Sequence, residues 1–257
     1  MLTPFHFSQF EFLDICSQKQ YIPTLKCKKM IDDNLKIVED NISQKCRETG
    51  RDRSEITLIA VSKKMPLEVI YEGIEAGILH FGENKAQEFK EKSLELKKQI
   101  IWHYIGHLQT NKVKYVINSA DYIHSVDSVK LADEINRRAN GIDKLQKVLI
   151  EANTSAEDVK YGVRSKDDLR LLLEHCKNSS NLSPVGLMTM APFTEDVKII
   201  RDCFKRLKEW QEEMNNHGIG LSELSMGMTN DYQIAIEEGA TMLRIGTAIF
   251  GERNSNN

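Results

Sequence analysis

The stretch ITLIAVSKKMPLEVIYEGIEAGILHFGENKAQEFKEKSLELKKQ (56–99) decides the fold. ITLIAVS (56–62) is short, apolar and rich in β-branched residues, which suits a strand buried on both faces. Pro66 then sits where the first turn of a helix tolerates proline, and PLEVIYEGIEAG closes on Gly77, a candidate C-cap. ILHFG (78–82) reads as a second strand. NKAQEFKEKSLELKKQ (84–99) reads as a helix whose charges form a solvated outer face. Two strand–helix units thus lie back to back, the pattern of parallel pairing with helical crossovers.

Working outward, the alternation holds to the end of the chain. Strands are expected at 101–106, 122–126, 147–153, 184–190, 223–228 and 241–246, and helices at 108–118, 128–139, 165–178, 194–218 and 230–240. A helical pattern over 30–47 precedes the first strand. Eight such units point to an α/β protein of the (β/α)8 TIM-barrel type, a fold of about 250 residues. A doubly wound open sheet is the alternative. It would usually place a glycine-rich turn after the first strand, and VSKKMP (61–66) is not one. Residues 30–253 therefore read as one barrel domain, with 1–29 as an N-terminal extension and 254–257 as a tail. The extension lacks the basic and apolar regions of a secretory signal, and Met30 stands as a possible working start.

Composition narrows the function. Forty per cent hydrophobic and 28% charged residues exclude wholesale disorder. Thirty-five basic against 38 acidic residues, a net charge of −3, argue against nucleic acid as the main partner. No apolar run approaches the ~18 residues of a membrane span. The scattered Cys16, Cys27, Cys46, Cys176 and Cys203 read as reduced thiols of a cytoplasmic protein.

In a barrel the chemistry gathers at the C-terminal ends of the strands. Lys63 follows the first strand there, where partial desolvation would free its amine for a Schiff base, whereas an ordinary surface lysine is the plain alternative. Lys64 is expected to face away. SMGM (225–228) and RIGT (244–247) end the seventh and eighth strands, the position where barrels often bind phosphate. Taken singly, each is a tight turn that needs its glycine. Arg244 stands beside them, or simply pairs with Asp231 or Glu237. His103 and His107 bracket a strand end and make a poor zinc pair, and His80 and His124 read as core or lining residues. Met188, Met190, Met226 and Met228 read as packing.

Together, AVSKKMP (60–66), HFGENKAQEF (80–89), WHYIGHLQTNK (102–112), HSVDS (124–128), GLMTMAP (186–192), LSMGMTNDYQIAI (224–236) and RIGTAIFGER (244–253) resemble the YggS/PROSC family of pyridoxal-phosphate homeostasis proteins. The likeness runs in order over 30–253 and leaves out 1–29. It implies a single barrel like the N-terminal domain of alanine racemase, of PLP fold-type III, carrying pyridoxal 5′-phosphate. It further implies that Lys63 holds the cofactor as an internal aldimine and that Ser225, Gly246 and Thr247 bind its phosphate. Arg244 would face the pyridine nitrogen, with Asn84 and Met226 near the ring. Lys85 departs from the family pattern, where an aromatic residue is common after GEN.

The function implied is carriage and buffering of pyridoxal phosphate, with delivery to PLP-dependent apo-enzymes and no turnover of its own. The expected state is a monomer or weak homodimer in the cytoplasm. An arginine at the pyridine nitrogen weakens the cofactor as an electron sink, and a racemase needs a second acid–base group that alanine racemase draws from another domain. A single-domain racemase or lyase is the alternative. A phosphate-ligand barrel enzyme with Lys63 as its Schiff-base lysine is the third reading.

Overall fold

A computed structural model of the chain describes residues 25–96, 100–155, 157 and 161–251. Eight strands close into a parallel barrel in sequence order: β1 (Thr57–Val61), β2 (His80–Glu83), β3 (Ile101–Tyr104), β4 (Tyr122–Val126), β5 (Gln146–Glu151), β6 (Leu182–Met188), β7 (Glu223–Ser225) and β8 (Met242–Ile245). Between them run α2 (Leu67–Glu75), α3 (Ala86–Glu95), α4 (Val113–Val116), α5 (Val129–Asn140), α6 (Lys166–Asn178), α7 (Val197–Asn216) and α8 (Tyr232–Glu237). Helix α1 (Leu25–Glu48) precedes the barrel and α9 (Thr247–Phe250) follows it.

Helix α1 begins five residues before Met30, so the expected boundary at 29/30 falls inside a helix. The rest of the proposed extension, 1–24, and the tail lie outside the described residues. Helix α1 packs on α2, α8 and α9 and covers the seam where β1 meets β8. Asn34 Nδ2 donates to the Ile249 carbonyl at 3.0 Å, and Lys45 pairs with Glu237 at 2.9 Å.

Two apolar clusters form. The large one lies between sheet and helices and includes Phe81, Phe89, Trp102, Phe204 and Trp210. The small one joins Ile59 of β1, Leu149 of β5, Met188 of β6 and Met242 of β8. Because β1 and β5 stand on opposite sides of the barrel, these four residues meet in the lumen.

Several expected elements come out shorter, among them one helix and one strand near the barrel mouth. The helix expected over 108–118 is a 3-10 turn, Thr110–Lys112, followed by the single turn of α4. The strand expected over 223–228 stops at Ser225, because Gly227 takes φ +95°, a left-handed conformation that ends extended backbone. A Cβ there would also approach the Ala235 Cβ to 2.7 Å, so glycine lets α8 pack on this turn.

Candidate functional site

The residues singled out from sequence lie at the ends of four consecutive strands, β7, β8, β1 and β2, since β8 closes on β1. Ser225 ends β7, with Met226 buried next to it. Arg244 lies within β8, Gly246 caps α9 and Thr247 opens it. Lys63 turns off the end of β1, and Asn84 follows β2.

Ser225 and Arg244 meet directly. Arg244 Nη1 donates to Ser225 Oγ at 2.6 Å, and Nη2 donates to the Thr189 carbonyl at 2.8 Å. Arg244 is 4% exposed, and burial lowers its pKa to about 10, with the charges of Asp231 and Glu151 opposing. It therefore keeps its charge at neutral pH. The alternative of a simple ion pair with Asp231 or Glu237 is not what forms. Glu237 is taken by Lys45 and Arg201, and Asp231 accepts from the Met228 N–H at 2.5 Å.

Strand β1 ends at Val61, so both lysines lie in the turn after it rather than on a continuing strand. Lys63 is half-buried, while Lys64 is exposed at φ +62°. The Lys64 N–H donates to Glu88 Oε1 at 2.5 Å. Beneath them Lys92 of α3 donates to the Ser62 carbonyl at 2.8 Å and to Glu83 and Glu88 at 2.7 Å each. Ser62 Oγ donates to the same Glu83 oxygen at 2.7 Å. Burial pushes the Glu83 carboxyl up, and the Lys92 ammonium works against that. The turn carrying Lys63 is thus tied to α3 through buried charge.

Asn84 Oδ1 is buried without a hydrogen-bond partner. A Cβ on Gly106 would approach the Asn84 carbonyl oxygen to 2.2 Å, so the glycine after β3 lets Asn84 lie close. Gly246, by contrast, sits at φ −114° and needs no glycine for its backbone conformation. Thr247 is exposed. Lys85, where the family often has an aromatic residue, is exposed too.

Four polar residues were missed as parts of the site. Glu151 ends β5, is 4% exposed and leaves Oε2 without a partner. Burial, and next the charge of Asp127, push its carboxyl up to about 7, with Arg244 opposing. His80, His103 and His124 form a hydrogen-bonded ladder that reaches Ser225. The signal was available, since the three fall inside three successive strand segments. Reading His80 and His124 as core or lining residues, and His103 only against His107, hid their connection.

His103 and His107 do not come together, and no metal-ligating group of three His, Cys, Asp or Glu side chains occurs among the described residues. A cleft of about 590 Å³ opens beside the ends of β3 and β4, lined by His107, Gln109, Asn111, Asp127 and Tyr161. None of the seven residues singled out lines it. No helix among the described residues is long and apolar enough to cross a membrane.

Comparison with known proteins agrees with the barrel fold. Residues 34–254 match the family described as alanine racemase, N-terminal domain. The pyridoxal phosphate homeostasis protein of Aquifex aeolicus is 42% identical over 223 residues, covering 86% of this chain and 97% of its own. PipY of Synechococcus elongatus, in a structure with PLP bound, superposes with a TM-score of 0.71 at 32% identity, covering 82% of this chain and all of that one. A Bifidobacterium adolescentis protein of unknown function reaches a TM-score of 0.84 at 32% identity, covering 89% and 98%. The chain belongs to the alanine racemase N-terminal domain family and, within it, to the pyridoxal phosphate homeostasis proteins.

Proposed function

We propose that this barrel binds pyridoxal 5′-phosphate reversibly and serves intracellular homeostasis of that cofactor. The observation that carries the reading is the buried, hydrogen-bonded Ser225–Arg244 pair on β7 and β8, the strands next to those that Lys63 and Asn84 follow. The unpartnered Asn84 Oδ1 fits a ligand that brings a donor to the same place. The PLP-bound PipY structure supports the choice of ligand.

Each residue then has a role. Lys63 would hold the cofactor through its amine, which condenses with an aldehyde with loss of water. The Ser225 hydroxyl, Gly246 and Thr247 take the phosphate, which the charge of Arg244 also favours. Asn84 and Met226 border the ring. When bound, pyridoxal phosphate supplies an electron sink for amino-acid carbanions, provided its pyridine nitrogen is protonated. Arg244 has no proton acceptor to offer that nitrogen. A buried, charged guanidinium there favours the unprotonated ring. The proposal is therefore of a carrier without turnover that hands the cofactor to apo-enzymes.

An absorbance spectrum of the purified protein, taken before and after borohydride and followed by peptide mapping, tests the reading. A visible band near ~420 nm that is fixed by borohydride onto Lys63 is the expected result. The holo-protein incubated with L-alanine or L-serine is expected to show no racemisation or elimination beyond free pyridoxal phosphate. Robust turnover that vanishes in Lys63→Ala overturns the carrier reading in favour of a single-domain racemase or lyase.

A further inference from the structure

Three histidines climb the inside of the barrel on adjacent strands. His80 is the first residue of β2, half-buried near the N-terminal mouth. His103 and His124 lie within β3 and β4 and are wholly buried. His80 Nδ1 meets His103 Nε2 at 2.9 Å, and His103 Nδ1 meets His124 Nε2 at 2.9 Å. His124 Nδ1 meets Ser225 Oγ at 2.9 Å. That last bond joins β4 to β7, which are not neighbours in the sheet, so it crosses the lumen. Together with the bond from Arg244, the chain is continuous from the N-terminal mouth to the floor of the site.

Every link uses one nitrogen of each ring, and a neutral imidazole has one donor and one acceptor. Burial holds His103 and His124 well below the usual histidine range, so both are neutral at physiological pH. The groups facing the chain favour neutrality as well. Tyr122 stacks on His103 at 4.6 Å and carries the Lys147 ammonium 4.8 Å from its ring centroid, and the charge of Arg244 acts on His124. Asp121 lies near His80, which burial nonetheless lowers.

A neutral ladder has only two consistent directions. In the outward one, the Ser225 hydroxyl donates to His124 Nδ1, and each ring donates from Nε2 toward the N-terminal mouth. In the inward one, each ring donates from Nδ1, and His124 donates to Ser225 Oγ. Ser225 Oγ then accepts from both His124 and Arg244, which leaves its proton for a ligand. An anion on Ser225 accepts that proton in the inward state and finds none in the outward state.

We propose that the ladder is a two-state relay whose direction is set by the anion on Ser225, so that filling the site moves the proton of His80 from Nε2 to Nδ1 at the far end of the barrel. The proposal rests on Ser225 binding the phosphate. The proton balance closes. Going from outward to inward, one proton leaves His80 Nε2 for solvent, one shifts across each link, and one enters the Ser225 hydroxyl from water or the phosphate in the site. The net charge of the ladder does not change. His124 is then a positioning residue, which presents the Ser225 hydroxyl as a donor.

The test is nitrogen-15 NMR of the full chain with labelled histidine, titrated first with inorganic phosphate and then with pyridoxal phosphate. The expected result is a swap of the protonated nitrogen from Nε2 to Nδ1 in all three rings, saturating with ligand binding. Binding that weakens in Ser225→Ala while wild-type tautomers stay unchanged overturns the relay but leaves the phosphate site standing. Binding that Ser225→Ala leaves unchanged overturns the phosphate reading, and the relay with it. In His103→Phe, His124 should still respond to ligand and His80 should not. A response of both rings in that variant overturns the chain as the route. The wild-type titration decides the proposal even where this variant fails to fold.

Discussion

The barrel lumen holds two unlike groups of side chains, a dry side and a polar side that interleave around the strands. Ile59, Leu149, Met188 and Met242 form a dry cluster of the kind that usually fills such barrels. Interleaved with it, since β8 contributes to both, His80, His103, His124, Ser225 and Arg244 form a run of polar groups joined end to end. A net hydrogen bond contributes only about 0.5–1.5 kcal/mol, whereas a buried donor or acceptor left unpaired costs about 1–3 kcal/mol. The polar side is thus no better for stability than an apolar one and is tolerable only when complete. Its presence in the lumen is explained by the site above it. Stability and ligand binding are therefore separable in this barrel, and substitutions can show how cleanly.

The largest effect is expected at the edge of the polar side. Lys63→Ala should abolish the covalently bound, visible-absorbing cofactor, while Lys64→Ala should leave it, as read from spectra of the two purified variants. Retention of the band in Lys63→Ala would move the attachment elsewhere. On the dry side, Leu149→Ala should cost about 2–5 kcal/mol in urea denaturation, with cofactor affinity nearly unchanged. A large loss of affinity there would show that the two sides are coupled after all.

Next in size, Ser225→Ala should weaken pyridoxal phosphate binding by about ten- to a hundred-fold, the worth of one charge-assisted hydrogen bond of ~1.5–3 kcal/mol. Glu151 sharpens the comparison through pH. Its folded pKa of about 7 lies above the usual glutamate value, so the folded state holds more protons than the unfolded one between the two. That stability is fully present at low pH and is lost as pH rises toward 7. Buried His103 and His124, shifted down, act in the opposite sense, and their deficit appears as pH falls below 6.5. Thermal melting from pH 4.5 to 7 should thus slope more steeply upward in Glu151→Gln than in wild type. Parallel slopes would mean that Glu151 titrates alike in the folded and unfolded states. The smallest effect is expected for Thr247→Val, about five-fold or less by titration calorimetry, because Thr247 is exposed.

The repeating units were legible because most strands carry a short run of apolar residues and the long helices are amphipathic. Helices α5, α6 and α7 fall within a few residues of expectation. The segment 108–118 was not, since LQTNKVKYVIN has apolar residues at helical spacing but folds as a 3-10 turn and one helical turn. Side chains at strand ends could be named from position. Their pairing could not, because Ser225 and His124 are 101 residues apart and meet only once the barrel closes. The same holds for Glu151, whose shifted carboxyl depends on burial and on neighbours from other strands.

The knot under Lys63 bears on which amine an aldehyde can find. Lys92 Nζ has three protons to give as an ammonium and three acceptors within 2.8 Å, the Ser62 carbonyl, Glu83 and Glu88. A nitrogen so saturated has no lone pair to offer a carbonyl carbon. Although it lies against the very residue that precedes Lys63, it is chemically silent toward the ligand. The same contacts that fix the backbone at residue 62 also provide chemoselectivity, by converting a competing nucleophile into part of the scaffold.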